Sequence, residues 1–100
     1  MKKIILLCAA GMSTSVLVQK MKEAAKEIKL DCEIAAHPVS TAAEVGENAD
    51  VILLGPQVRF ELKKVKDLCP NCPVDVIDMT SYGTMNGKKV IEQALKLIEG

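Results

Sequence analysis

Aromatic residues are nearly absent from this chain: there is no tryptophan, one phenylalanine (Phe60) and one tyrosine (Tyr82). Charge of one sign is not in excess either, with 13 basic against 13 acidic side chains, the basic ones scattered along the chain. A nucleic-acid surface needs a concentrated positive footprint and usually stacking rings, so that class is excluded. Although 49% of the residues are apolar, no run approaches the ~20 that cross a bilayer. After Met1-Lys2-Lys3, the aliphatic stretch Ile4-Ile5-Leu6-Leu7 is too short for a signal-peptide core, and no sensible cleavage site follows. The chain is therefore expected in the cytoplasm. There is a single histidine, His37, and no second Cys or His pair lies near Cys69 and Cys72, so a zinc site lacks ligands. Neither metal nor cofactor is expected.

What is present is enough for one core. One hundred residues make a single domain, 1–100, with no repeat, linker or low-complexity segment. The four cysteines, Cys8, Cys32, Cys69 and Cys72, read as reduced thiols, because nothing marks the chain for an oxidising compartment.

The apolar pattern alternates between strands and helices. Residues 3–8 and 50–54 are continuous aliphatic runs, as in strands buried on both faces. Residues 32–36 alternate and end at His37-Pro38, an edge-strand pattern, and residues 74–77 form a fourth strand. Helices are expected from a cap at Ser13, Thr14 or Ser15 to about Lys29, over 41–46, over about 58–68 and over 88–98. Leu17, Met21, Ala24 and Ile28 make the buried stripe of the first, and Val90, Ile91, Ala94, Leu95 and Ile98 that of the last. Asp78 through Gly87 reads as a loop or broken turn. The order β-α-β-α-β-α-β-α calls for an α/β fold: a four-stranded parallel sheet, spatial order 2-1-3-4, with helices on both faces. In such sheets ligands sit beyond the carboxyl ends of the strands where the winding reverses, here between the first and third strands.

Cys8 falls on that edge. It is followed by Ala9-Ala10-Gly11-Met12-Ser13-Thr14-Ser15, small and hydroxyl residues leading into a helix. Only the thiolate attacks, and N–H groups at a helix start favour the anion. The same N–H groups, with three hydroxyls, would then hold the oxygens of a phosphoryl group on sulfur. Cys8 is therefore read as a nucleophile carrying a phosphoryl group, with residues 9–15 as its cradle. A buried cysteine at a strand end is the plainer reading, but it leaves the turn and the hydroxyl cluster unexplained.

A low-molecular-weight tyrosine phosphatase or an arsenate-reductase-like enzyme uses a similar arrangement, with an arginine where this chain has Thr14. An arginine on a transferring phosphoryl group is worth on the order of 10³–10⁵ in rate in GTPases, so its absence favours a carrier over a hydrolase. A thiol redox module using the Cys69-Pro70-Asn71-Cys72 spacing is the third possibility. That pair, like Cys32, falls on the edge opposite Cys8.

The chain resembles the lactose/cellobiose/chitobiose class of phosphotransferase-system enzyme IIB. The matching pieces are Leu7 through Ser15, Asn48-Ala49-Asp50-Val51, Leu54-Gly55-Pro56-Gln57, and Val76-Ile77-Asp78 with Tyr82-Gly83, in order over essentially the whole chain. The resemblance implies a phosphotransferase in sugar transport. Cys8 would accept phosphate from a phosphohistidine of enzyme IIA and pass it to a sugar held by the membrane component IIC, which the domain visits transiently. A cellobiose, chitobiose or related β-glycoside is the implied sugar, and a monomer is expected. Near the cradle, Gln57, Arg59, Asp78 and Tyr82 are candidates for partner contact or for supporting the loop. Asp78 is read mainly as a turn cap, Arg59 mainly as a surface cation, and His37 as a strand-end residue.

Overall fold

The computed structural model describes residues 2–9 and 15–99. Four parallel strands, β1 (Lys2–Cys8), β2 (Cys32–Pro38), β3 (Val51–Leu54) and β4 (Val74–Val76), lie in the order β2-β1-β3-β4. The helices are α1 (Ser15–Glu27), α2 (Ala42–Val45), α3 (Leu62–Leu68), α4 (Met79–Gly83) and α5 (Gly87–Glu99). Short 3₁₀ segments occupy Val39–Thr41, Gly46–Asn48 and Pro56–Glu61.

The two aliphatic strands form the centre because their side chains serve both faces in turn. Ile4, Leu6, Val51 and Leu53 pack with α1 and α5 on one face, whereas Ile5, Leu7, Ile52 and Leu54 pack with α2, α3 and Val58 on the other. All eight are 0–1% exposed. Truncating any one of them to alanine removes about 2–5 kcal/mol, a large part of the ~5–15 kcal/mol of a typical domain. Helices α1 and α5 meet closely at Gly87: a Cβ built there would lie 2.3 Å from the backbone carbon of Lys20.

The structure departs from the expectations at the ends and breaks of its helices and strands. Helix α1 stops at Glu27, and Ile28 is 52% exposed instead of lying in the stripe. The N–H of Leu30 bonds the Ala25 carbonyl, that of Lys29 bonds the Lys26 carbonyl, and Lys29 has φ 56°. This is the Schellman ending with lysine in the left-handed position. The reversal carries Leu30, not Ile28, onto the core.

The expected helix 58–68 divides into the 3₁₀ segment from Pro56 and α3, because Val58, at φ −118°, turns inward and is buried. Residues 41–46 become a 3₁₀ turn, α2 and a second 3₁₀ turn. Neither Ser40 nor Thr41 caps them by a side-chain bond; the Thr41 hydroxyl donates to the Pro38 carbonyl instead. Strand β3 begins at Val51, and the carboxylate of Asp50 accepts from the Lys3 N–H at 2.7 Å. Within the stretch read as a loop, Met79–Gly83 is helical.

Candidate functional site

Cys8 ends β1, paired with Pro38 of β2, while one residue earlier Leu7 pairs with Leu54 of β3. The cysteine is 7% exposed, with Sγ 3.8 Å from the backbone carbonyl of His37. His37 thus meets the thiol through its main-chain carbonyl. Ala9 is half-buried against the α2–α3 cluster, and Ser15 is the exposed first residue of α1. The cradle positions Ala10, Gly11, Met12, Ser13 and Thr14, including two of the three candidate caps, lie outside the described residues.

The neighbouring wall is built by the chain leaving β3. The Gly55 N–H donates to the Leu7 carbonyl at 2.9 Å, which extends the ladder to the residue before Cys8. A Cβ built on Gly55 would lie 3.1 Å from Gln57 Oε1 and 3.8 Å from Tyr82 Cε2. Gln57, Arg59 and Tyr82 are therefore brought together, and with Pro56, Phe60 and Met79 they line an open groove of about 490 Å³. Phe60 is 78% and Met79 64% exposed on its rim. These two side chains thus expose apolar surface at the groove rim. Sequence reasoning missed both residues, although Phe60 and Tyr82 are the chain's only aromatics and both follow strand ends on the Cys8 edge.

Asp78 does not line that groove. Its carboxylate caps α4, accepting from the Ser81 N–H at 3.0 Å and from the Ser81 hydroxyl at 3.2 Å. These bonds, the backbone one foremost, hold the Asp78 carboxyl below its ordinary range. In this geometry the group serves as the cap of a turn.

The remaining thiols stand at the opposite edge, Cys32 paired with Lys2 and Cys69-Cys72 leading into β4. Cys69 is buried and its Sγ donates to the Ala42 carbonyl at 3.5 Å. Burial pushes the thiols of Cys69, Cys72 and Cys32 up, and for Cys72 the neighbouring Cys69 and Asp50 add to it. A reactive redox pair needs the reverse. Among the described residues no group of three or more His, Cys, Asp or Glu gathers in a metal-holding arrangement. None of their helices is long and apolar enough to cross a membrane.

Residues 3–93 match the family described as PTS system, Lactose/Cellobiose specific IIB subunit. The chain belongs to this family. IIB components are phosphotransferases, and in general they work with IIA and IIC partners. A PTS oligo-beta-mannoside-specific EIIB component of Bacillus subtilis is 50% identical, covering 98% of this chain and 97% of its own length. A PTS galactose-specific EIIB component of Lactococcus lactis is 45% identical over 97% of this chain and 96% of the relative. The solution structure of a cellobiose-specific IIB component from Borrelia burgdorferi superimposes with a TM-score of 0.82 at 38% identity, covering 98% of this chain and 92% of that one. The four-stranded 2-1-3-4 sheet is thus the IIB fold, and the hydrolase and redox alternatives are not favoured.

Proposed function

We propose that Cys8 is the phosphorylated residue of this IIB component and that the chain acts as one monomeric, cytoplasmic phosphocarrier domain. The thiolate attacks phosphorus of a IIA phosphohistidine in line; an S–P bond forms, the P–N bond breaks, and the imidazole leaves. A hydroxyl of the sugar held by IIC then attacks the same phosphorus; an O–P bond forms, the S–P bond breaks, and the hydroxyl proton is released. The observation that carries this reading is the place of Cys8, at the carboxyl end of the central strand and at the switch point of the sheet. The backbone from Ala9 to Ser15 is the proposed phosphoryl cradle, acting through neutral donors. Because one thiol serves both partners, IIA and IIC must approach by the same face in turn. The groove of Gln57, Arg59, Phe60, Met79 and Tyr82 supplies an apolar surface with one cation on the same sheet edge as that thiol.

The proposed sugar is a β-linked disaccharide of the cellobiose, chitobiose or mannobiose kind. Relatives named for oligo-β-mannoside and for cellobiose support the β-glycoside class, and one named for galactose keeps the choice at the level of class. The test is a chase. Protein labelled through IIA is mixed with membranes holding IIC and a β-linked disaccharide. The label is expected to move to the sugar and to persist on the protein when membranes are omitted. Rapid loss to water without membranes would overturn the carrier reading and restore the hydrolase.

A further inference from the structure

Strand β4 is an edge strand, and an exposed edge leaves backbone groups without a partner strand. On its inner side the Ile77 N–H bonds the Leu54 carbonyl at 2.8 Å. On its outer side the two groups flanking Ile77 are taken by one side chain from α5. The Gln93 carboxamide donates to the Val76 carbonyl at 2.7 Å and accepts from the Asp78 N–H at 3.2 Å. A carbonyl and an N–H flanking one residue are the pair that a neighbouring parallel strand would engage. The same amide nitrogen lies 3.5 Å from Asp75 Oδ2, while Asp75 Oδ1 accepts from the Val76 N–H at 2.8 Å.

The consequence lies at the exit of the strand. Asp78 is the first residue after Ile77 and the cap of α4, so its backbone orientation aims that helix. Helix α4 carries Met79 and Tyr82 into the groove, and Tyr82 Cε2 lies 3.8 Å from where a Cβ on Gly55 would stand, beside the residue whose N–H bonds the Leu7 carbonyl. A five-residue helix is too short to hold its own direction and takes it from its anchors.

We propose that Gln93 is a positioning residue for phosphoryl transfer: its amide acts as a one-residue fifth strand that fixes the β4 exit and so places α4 and Tyr82 beside the Cys8 edge. The role rests on the reading of Cys8 as the carrier. It acts on encounter with the donor protein rather than on the chemical step, because Gln93 touches no reacting atom.

The test uses Gln93→Met, which keeps the shape and removes both bonds, and Gln93→Glu, which keeps the acceptor for Asp78 but loses the donor to Val76. Each net hydrogen bond is worth about two- to tenfold in an equilibrium. The Michaelis constant for phosphorylated IIA is therefore expected to rise about tenfold in Gln93→Met and at least as much in Gln93→Glu, whose second carboxylate oxygen would face the Val76 carbonyl and the Asp75 carboxylate, with the rate at saturating IIA within about twofold of wild type. Tyr82 is the only tyrosine and there is no tryptophan, so its fluorescence is an independent reporter. Acrylamide quenching is expected to increase in both variants while the far-UV circular dichroism is retained. A lowered melting temperature with unchanged Michaelis constant and unchanged quenching would overturn the proposal and leave Gln93 a merely structural residue. Failure of wild type to take the label on Cys8 would instead sink the carrier reading, and the Tyr82 arm would still test whether Gln93 aims α4.

Discussion

Cys69 packs against Gly46, and this gives a Gly46→Ala substitution an unusual sign. Gly46 follows α2 at φ −74°, ψ −15°, a conformation open to any residue. On backbone grounds alanine there should stabilise by about 0.4–1 kcal/mol, through the unfolded chain. A Cβ at position 46, however, would lie 2.4 Å from Cys69 Sγ and 3.0 Å from Ile52 Cδ1. Overpacking of this kind costs about 1–3 kcal/mol, so Gly46→Ala is expected to destabilise by about 1–2 kcal/mol. Cys69→Ala alone removes one buried heavy atom and a weak donor to Ala42, a loss of about 1 kcal/mol. In the double variant the new methyl occupies the space vacated by sulfur. The pair should be more stable than the sum of the singles, with a coupling of about 1–2 kcal/mol. Thermal unfolding followed by circular dichroism resolves this, since about 1 kcal/mol moves the midpoint of a 60–100-residue domain by about 4–8 °C. Additive single effects, or Gly46→Ala as stable as wild type, would refute the packing assignment.

Two further predictions concern a helix end and pH. Lys29→Gly relieves the left-handed conformation at the end of α1 and is expected to stabilise by about 0.5–1 kcal/mol; an unchanged or lower melting temperature would count against the Schellman ending. For Asp78, whose folded carboxyl lies below its ordinary value through the Ser81 bonds, the contribution is present above the unfolded pKa and lost as pH falls through the folded one. The gap in melting temperature between wild type and Asp78→Asn should be open at neutral pH and close below about pH 4; a gap that widens on acidification would reverse the sign of the effect.

Much of the site's placement was legible because it follows from rules of period and handedness. Ile4–Leu7 and Val51–Leu54 are continuous aliphatic runs, and only a central parallel position buries both sides of such strands. That pattern alone puts Cys8 at the switch point. Asp78 as a cap was legible too, since an aspartate three residues before Ser81 is a local pattern. Ile28 was misplaced because apolar spacing gives no sign of where a helix reverses. The reversal depends on Lys29 taking a conformation usually left to glycine, and then Leu30 occupies the core. The break at Val58 was hidden for a related reason: a tertiary contact, not local propensity, turns that residue inward. Gln93 could not have been found from the chain alone. Its role arises from an edge strand and a distant helix meeting in space, and a glutamine on a helix otherwise reads as solvated. The groove at Phe60 and Met79 was hidden for the same reason, because its two sides come from the separate segments that leave β3 and β4.

The central claim is that one thiol, Cys8, carries the phosphoryl group. The most direct measurement is to phosphorylate the protein from phosphoenolpyruvate through the upstream carriers and IIA, then map the modified residue by peptide mass spectrometry at neutral pH. The account predicts a single phosphoryl group on Cys8 and no label in Cys8→Ala. Label on His37, on a hydroxyl of the 13–15 stretch, or undiminished in Cys8→Ala would contradict it.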